Sequence, residues 1–405
     1  MYRLNPATQP RLIFLILVLF AMIGPLSIDL FTPSLPAITE AFGTTADTSQ
    51  WTVSIFMLGF ALSMLIVGPV SERFGYRRTL MGGYAIYLLA TLTILLTSTI
   101  EIFIAARLVQ AIFGCFGTAL SRVLARDLYK GENSDVRILG MIGATMMVAP
   151  MVAPTIGGVL QQTMGWQASF GLMLLIGVVG IIAVTLLPGQ DKTNPDARLL
   201  ETFTSFGILF KDRQYMAPAL TAAMAFAGAF VFVVGAPFIL IGHFEITPRD
   251  YGMIFGMVMG AYILASSAAG KITDLLGRRK ATLLAWAGLV IGALIAFVSA
   301  ILTDGQSLTG LVIGIIIYEA GLGLFLPSYQ AKALSHLDQH AGTGAGLIFF
   351  LEMIVASAVS YLVGNAPLNN TSPLAAFTMA MLVLALGVSI LVKGRNVPAS
   401  PSVEP

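Results

Sequence analysis

The chain has 405 residues, of which 57% are hydrophobic and only 10% charged, and its mean hydropathy is +0.88. Charge this sparse cannot cover a soluble surface, so the composition excludes a water-soluble globular protein and reads as an all-α integral membrane protein. The formal net charge of +2 informs only through where the basic residues fall; no nucleic-acid partner is expected, and the single cysteine, Cys115, inside an apolar run, leaves neither an intrachain disulfide nor redox chemistry.

Apolar runs lie near 12–38, 50–70, 79–98, 101–125, 136–163, 166–187, 216–242, 250–272, 280–302, 308–333, 341–363 and 373–393. Each is long enough to cross a hydrocarbon core of roughly 30 Å, which predicts twelve transmembrane helices. The first run has no small-residue cleavage site and carries Asp29, so it is expected to be retained as a helix. The polar stretch 189–213 divides the chain into a first six-helix bundle, 1–188, and a second, 214–395. It is expected to be a cytoplasmic linker with a surface helix around Leu199 to Phe210, and the proline-rich tail 396–405 is expected to be disordered. Of the 22 lysines and arginines, all but Arg107 and Arg249 fall in alternate loops and at the two ends. Positive residues resist translocation, so both termini are expected in the cytoplasm.

In the first span, Pro25-Leu26-Ser27-Ile28-Asp29-Leu30-Phe31-Thr32-Pro33-Ser34-Leu35-Pro36 interrupts an apolar helix with one acid and three prolines. Prolines free backbone carbonyls where water or polar groups can satisfy them, so the kink and the acid point to a cavity. The bland alternative is an end-of-helix acid exposed to outside water.

Between spans two and three lies Gly68-Pro69-Val70-Ser71-Glu72-Arg73-Phe74-Gly75-Tyr76-Arg77-Arg78. It returns between spans eight and nine as Gly270-Lys271-Ile272-Thr273-Asp274-Leu275-Leu276-Gly277-Arg278-Arg279-Lys280. Each copy is read as a tight turn in which glycine relieves side-chain clashes, an acid can pair with the basic cluster, and arginines stay at the lipid surface. Two copies at equivalent places predict two homologous halves.

The fourth span carries Arg107 and Gln110. A charged arginine within a span costs about 2.5–3.5 kcal/mol on insertion scales, so Arg107 faces the bundle interior or, alternatively, snorkels to the outer headgroups. Asp29, late in an outward helix, and Arg107, early in an inward one, fall at similar depth, so an ion pair between them is geometrically open. The fifth span runs from Gly143 to Gly158 and includes Pro150, Pro154, Gly157 and Gly158. Small residues allow close helix approach and the prolines permit bending, so packing alone would account for it.

In the second half, Glu319 and Glu352 each lie about eleven residues into their spans, near the bilayer midplane. A carboxyl group taken out of water without a basic neighbour favours its neutral form, which is how a transporter senses protons. The alternative for either is a permanently neutral acid within the helix contacts. Met146, Met147, Met151, Met253, Met257 and Met259 with Phe226, Phe230 and Phe232 could form a soft wall for lipophilic ligands, or face lipid and neighbouring helices. Tyr318, Tyr329 and Gln330 share the tenth span with Glu319. Lys332 beside them could meet an anionic substrate or snorkel to the inner surface. His243, His336 and His340 lack metal-ligand spacing, so no metal site is expected.

The repeated turn resembles the loop signature of the major facilitator superfamily, Gly-x-x-x-Asp-Arg-x-Gly-Arg-Arg. Glu72 stands for the aspartate and Tyr76 for an arginine in the first copy, and Leu275 for the arginine in the second. Gly68, Glu72, Arg73, Gly75, Arg77, Arg78, Gly270, Asp274, Gly277 and Arg278 carry the likeness. Arg107-Leu108-Val109-Gln110-Ala111 resembles the family's helix 4 motif Arg-x-x-Gln-Gly, and Gly143 to Gly158 resembles the helix 5 motif of its exporters. The Ala-Pro-x-x-Ala-Pro-x-x-Gly-Gly form, with Arg126-Asp127-Leu128-Tyr129 and His340-Ala341-Gly342-Thr343, is similar to the Bcr/CflA group of bacterial drug-resistance transporters.

That resemblance implies a proton-coupled multidrug exporter of the bacterial inner membrane, working by alternating access as a monomer, with protons as coupling ion and no cofactor. It implies that Arg107 and Gln110 line the central cavity and help couple proton movement. Asp29, Glu319 and Glu352, the acids within the spans, are the expected proton carriers, and Glu319 is favoured because helices 1, 4, 7 and 10 line the family's cavity. Gln110 and, from the seventh and tenth spans, Phe226, Phe230, Tyr318, Tyr329 and Gln330 are the residues expected at the substrate cavity. The rival on the same fold is a proton-coupled transporter of a small polar metabolite, against which the apolar seventh span speaks. An intramembrane enzyme or a nucleotide-driven pump is disfavoured, since the chain has no His-Glu-x-x-His, Gly-x-Ser-x-Gly or phosphate-loop motif.

Overall fold

The computed structural model describes residues 9–129, 134–187, 206–335, 337 and 341–393. Among these described residues twelve long helices follow one another: α1 Pro10–Ala41, α2 Ala46–Phe74, α3 Tyr76–Leu96, α4 Ile100–Leu128, α5 Ser134–Met164 and α6 Gln167–Leu186 make the first half. The second comprises α7 Arg213–His243, α8 Pro248–Leu276, α9 Arg278–Leu302, α10 Leu308–Leu334, α11 Ala341–Gly364 and α12 Ser372–Lys393. Every apolar run of the sequence has become one helix. The predicted linker lies mostly outside the described residues, where only 206–211 form a short helical stretch before α7, and the tail and Leu199 lie outside them altogether.

The two halves repeat the same packing. In the first, α1 packs on α4, α5 and α6, and α4 packs on α2 and α3; in the second, α7 packs on α10, α11 and α12, and α10 packs on α8 and α9. The halves meet along two equivalent seams, α2 with α11 and α5 with α8. Leucines and valines exposed along α3, α6, α9 and α12, such as Leu89, Val178, Leu284 and Val383, form the outward apolar surface that a bilayer would cover.

The repeated turn is tighter than its sequence suggested. Gly68 and Gly270 do not open a loop but sit inside α2 and α8, which run on to Phe74 and Leu276. The reversal falls on one residue, Gly75 or Gly277, with φ of 83° and 78°, in the region that disfavours a side chain. Each glycine N–H caps the helix it ends, donating to Ser71 O and Thr273 O at 2.9 Å, and each carbonyl accepts from the next helix. Arg77 then ties its turn to the end of α6, its Nη2 donating to Thr185 O at 2.8 Å.

At the opposite end of the bundle the halves are in contact. The straight part of α1 ends at Asp29, a short turn at Thr32–Ser34 follows, and the chain resumes as Leu35–Ala41. That broken end of α1 packs against residues 237–243, where α7 winds into a wider π-helical turn, and against α8. Gly157 and Gly158 let α5 approach so closely that a Cβ on either would strike the carbonyl of Leu30 or Pro248. The end far from the turns is therefore sealed by backbone contact.

Candidate functional site

Between the halves lies a cavity of about 450 Å³. Its wall is mostly apolar: Met57, Phe60 and Met64 of α2, Phe226 and Phe230 of α7, and Met353 of α11. Pro25 of α1 and Pro150 of α5 line it as well. From the sealed far end the space reaches toward the turns as far as Arg122, Leu334 and Ala345.

Three carboxyl groups face this space. Asp29 reaches it from the last turn before the break in α1, Glu319 from α10 and Glu352 from α11, each no more than 6% exposed. Asp29 and Glu319 receive no hydrogen bond from another side chain among the described residues, whereas Glu352 Oε1 accepts one from Gln330 Nε2 at 2.8 Å. One guanidinium joins them. Arg122, on the turn side of α4, lies with its guanidinium carbon 4.7 Å from the centre of the Phe349 ring on α11, within electrostatic range of Glu352.

Arg107 is elsewhere. It is 0% exposed, with the rings of Phe31 and Phe56 each 4.1 Å from its guanidinium carbon and that of Phe170 at 5.8 Å. Its Nη1 donates to Ser27 O (3.1 Å) and Gln110 Oε1 (2.5 Å), and its Nε to Thr52 O (3.4 Å). Gln110 passes the network on, its Nε2 donating to Thr91 Oγ1 at 2.7 Å. The ion pair that the sequence left open between Arg107 and Asp29 does not form: Asp29 looks into the cavity, while Arg107 is enclosed by aromatic rings and carbonyls. Its Nη2 has no hydrogen-bond partner.

Of the residues that the sequence assigned to the cavity, Phe226, Phe230 and Gln330 line it with the three carboxyl groups. Gln110 does not, because Arg107 and Thr91 hold it inside the first half. Tyr318 and Tyr329 lie about 100° round α10 from Glu319 and Gln330 and turn away from the cavity. Tyr318 donates to Ala225 O at 2.9 Å; Tyr329 stacks on Phe325 at 4.1 Å and accepts from Trp286 Nε1 at 3.0 Å. Pro154, Gly157 and Gly158 belong to the far-end seal. Met259 lines the cavity, but Met253 and Met257 face outward and Phe232 stacks on Phe255. The side chains of Met146 and Met147 lie outside the described residues, as do His336 and His340. Lys332 is exposed beside Tyr329, and His243 is exposed beside Gln306. No group of three metal-ligating side chains occurs among the described residues.

The sequence missed Arg122, Tyr262 and the α2 and α11 wall. Arg122 stands at a span's end and was grouped with the loop cations. Only its helical phase relative to Thr118 and Ala119, which line the same cavity, could have pointed inward.

A family model described as Major Facilitator Superfamily matches residues 17–361. The chain belongs to the major facilitator superfamily. Among its relatives is the Bacillus subtilis (strain 168) protein named "Uncharacterized MFS-type transporter YdgK", 30% identical over 380 residues that cover 91% of this chain and 92% of the relative. The "Bicyclomycin resistance protein homolog" of Haemophilus influenzae is 25% identical over 97% of this chain and 99% of its own, in keeping with the Bcr/CflA likeness. A crystal structure of a bacterial homologue of the human lysosomal transporter Spinster, inward-facing and unoccupied, superposes with a TM-score of 0.72 at 15% identity, covering 96% of this chain and 98% of that one. Such low identity speaks for the fold alone. Within the superfamily fold, the Arg107–Gln110 motif here braces one half, and the carboxyl groups face the space between halves.

Proposed function

We propose that this superfamily transporter exports lipophilic or amphipathic drugs across the bacterial inner membrane in exchange for protons. The observation that carries the reading is the cavity itself, an apolar and aromatic wall facing three carboxyl groups. An apolar wall rich in methionine and phenylalanine accepts varied lipophilic shapes without demanding fixed hydrogen bonds. An ionised carboxylate in such a space is costly, and a bound proton removes that cost. Proton and cargo then occupy one wall in turn.

In this cycle, with the turn end on the cytoplasmic side as the basic loops indicate, Glu319 or Asp29 takes a proton while the site faces outside. The halves rock about their seams, and drug binding accompanies proton release on the inner side. A membrane potential of 100 mV adds about 2.3 kcal/mol for each charge moved, enough for more than a tenfold gradient. The apolar α7 and the relative named for bicyclomycin resistance favour drug over polar cargo.

The test is uptake of a lipophilic fluorescent drug into proteoliposomes under an imposed pH gradient, comparing wild type with Asp29→Asn, Glu319→Gln and Glu352→Gln. Gradient-driven uptake that a carboxyl variant abolishes while drug binding persists is the expected result. A protein that ignores the drug and moves a polar metabolite instead would overturn the cargo.

A further inference from the structure

Contacts between the two halves differ in kind at the two ends of the cavity. Along the far part of the α2–α11 seam they are short and uncharged: Ser54 Oγ donates to Ser360 Oγ at 2.7 Å, Ser357 Oγ donates to Ser54 O at 2.8 Å, and Trp51 meets Tyr361 edge to face at 5.0 Å. Toward the turns, α4 has no extended packing against any helix of the second half among the described residues. There a long side chain crosses the gap. Arg122 leaves α4 and places its guanidinium on the Phe349 ring, within electrostatic range of Glu352, to which Gln330 of α10 donates.

We propose that Arg122 is the gate residue of the cavity's turn end: a strap from the first half to Phe349 and Glu352 of the second, which must release for cargo to pass and re-forms behind it. The physical case is one of reach. A contact made by one flexible side chain between unpacked helices is lost with a small separation, whereas the α5–α8 seam depends on backbone approach at Gly158 and Gly252. Both partners also line the cavity, so cargo at the turn end competes directly with the strap for the Phe349 ring and the Glu352 carboxyl group. Asp29 and Glu319, the other acids of the cavity, stand on α1 and α10. The gate deepens the transport reading above but rests only on alternating access, not on the identity of the cargo.

A cargo-free readout separates the two. In purified full-length protein carrying Cys115→Ala, a cysteine placed by Ala345→Cys reports access to the turn end of the cavity through its rate of labelling by a polar maleimide. Arg122→Ala is expected to raise that rate about fivefold, the size of effect that a partly desolvated cation–π contact supports. Arg122→Lys, which keeps a cation over the ring, is expected to stay near the parent rate, and Phe349→Leu to fall between. A melting temperature measured on each variant separates gating from misfolding, because an unfolded protein labels fast with lysine as well as alanine. Equal labelling rates for the parent and a folded Arg122→Ala protein would overturn the gate. Faster labelling in a protein that transports no drug would leave the gate standing and remove the cargo reading.

Discussion

Arg107 and Glu352 are both buried, and the fold treats them in opposite ways. Arg107 is walled off inside the first half by phenylalanine rings, backbone carbonyls and Gln110, with no carboxylate against it. Glu352 faces the space between halves, held by Gln330 from its own half and approached by Arg122 from the other. A charge enclosed by one rigid unit keeps its partners through a rocking motion and so serves that unit's architecture. A charge whose partners come from both units changes surroundings whenever the units move, which makes it fit for coupling. Burial does not distinguish them; the number of halves supplying the partners does.

The contrast is broken most directly at Arg107. Arg107→Leu leaves Gln110 Oε1 and the carbonyls of Ser27 and Thr52 without their donor, at about 1–3 kcal/mol each, so a loss of about 3 kcal/mol or more is expected as a lowered melting temperature in detergent. Unchanged stability with lost transport would instead assign Arg107 to coupling. Glu319→Gln should do the reverse: stability within about 1 kcal/mol of wild type, since no partner is lost, and a fall of about tenfold or more in uptake driven by a pH gradient. Gln330→Leu removes one hydrogen bond to a charged group, worth about 1.5–3 kcal/mol. Its expected consequence is a several-fold change in transport KM that disappears in the Glu352→Gln background, read by a double-mutant cycle. The remaining effect belongs to the wall. Phe226→Ala should weaken lipophilic drug binding about tenfold, in line with one aromatic side chain's apolar contact, without altering proton dependence.

The fold was largely legible in the sequence because its signals are long. Twelve apolar runs, each about 20 residues or more, admit only helices in a bilayer, and two copies of one turn motif announce the repeat. The site was legible in part. Asp29, Glu319 and Glu352 stood out because ionisable residues are rare in apolar spans, and all three reach the cavity. Tyr318 and Tyr329 show the limit: they share α10 with Glu319 and Gln330 but turn into the second half, toward Ala225, Phe325 and Trp286. Neighbours in sequence are 100° apart on a helix, and without strong amphipathicity in an apolar span the inward face is not marked.

What the sequence determined by itself was the class of protein, the number and order of helices and the chemical inventory of acids and bases within them, because hydrophobic length and the cost of charge in lipid are local properties. The tertiary structure alone decided which of those groups look into the shared space, that Arg107 is not the partner of Asp29, and that Arg122 bridges the halves. Those facts depend on how each helix is rotated about its axis, and rotation is set by close packing at glycines and prolines against helices far away in the chain.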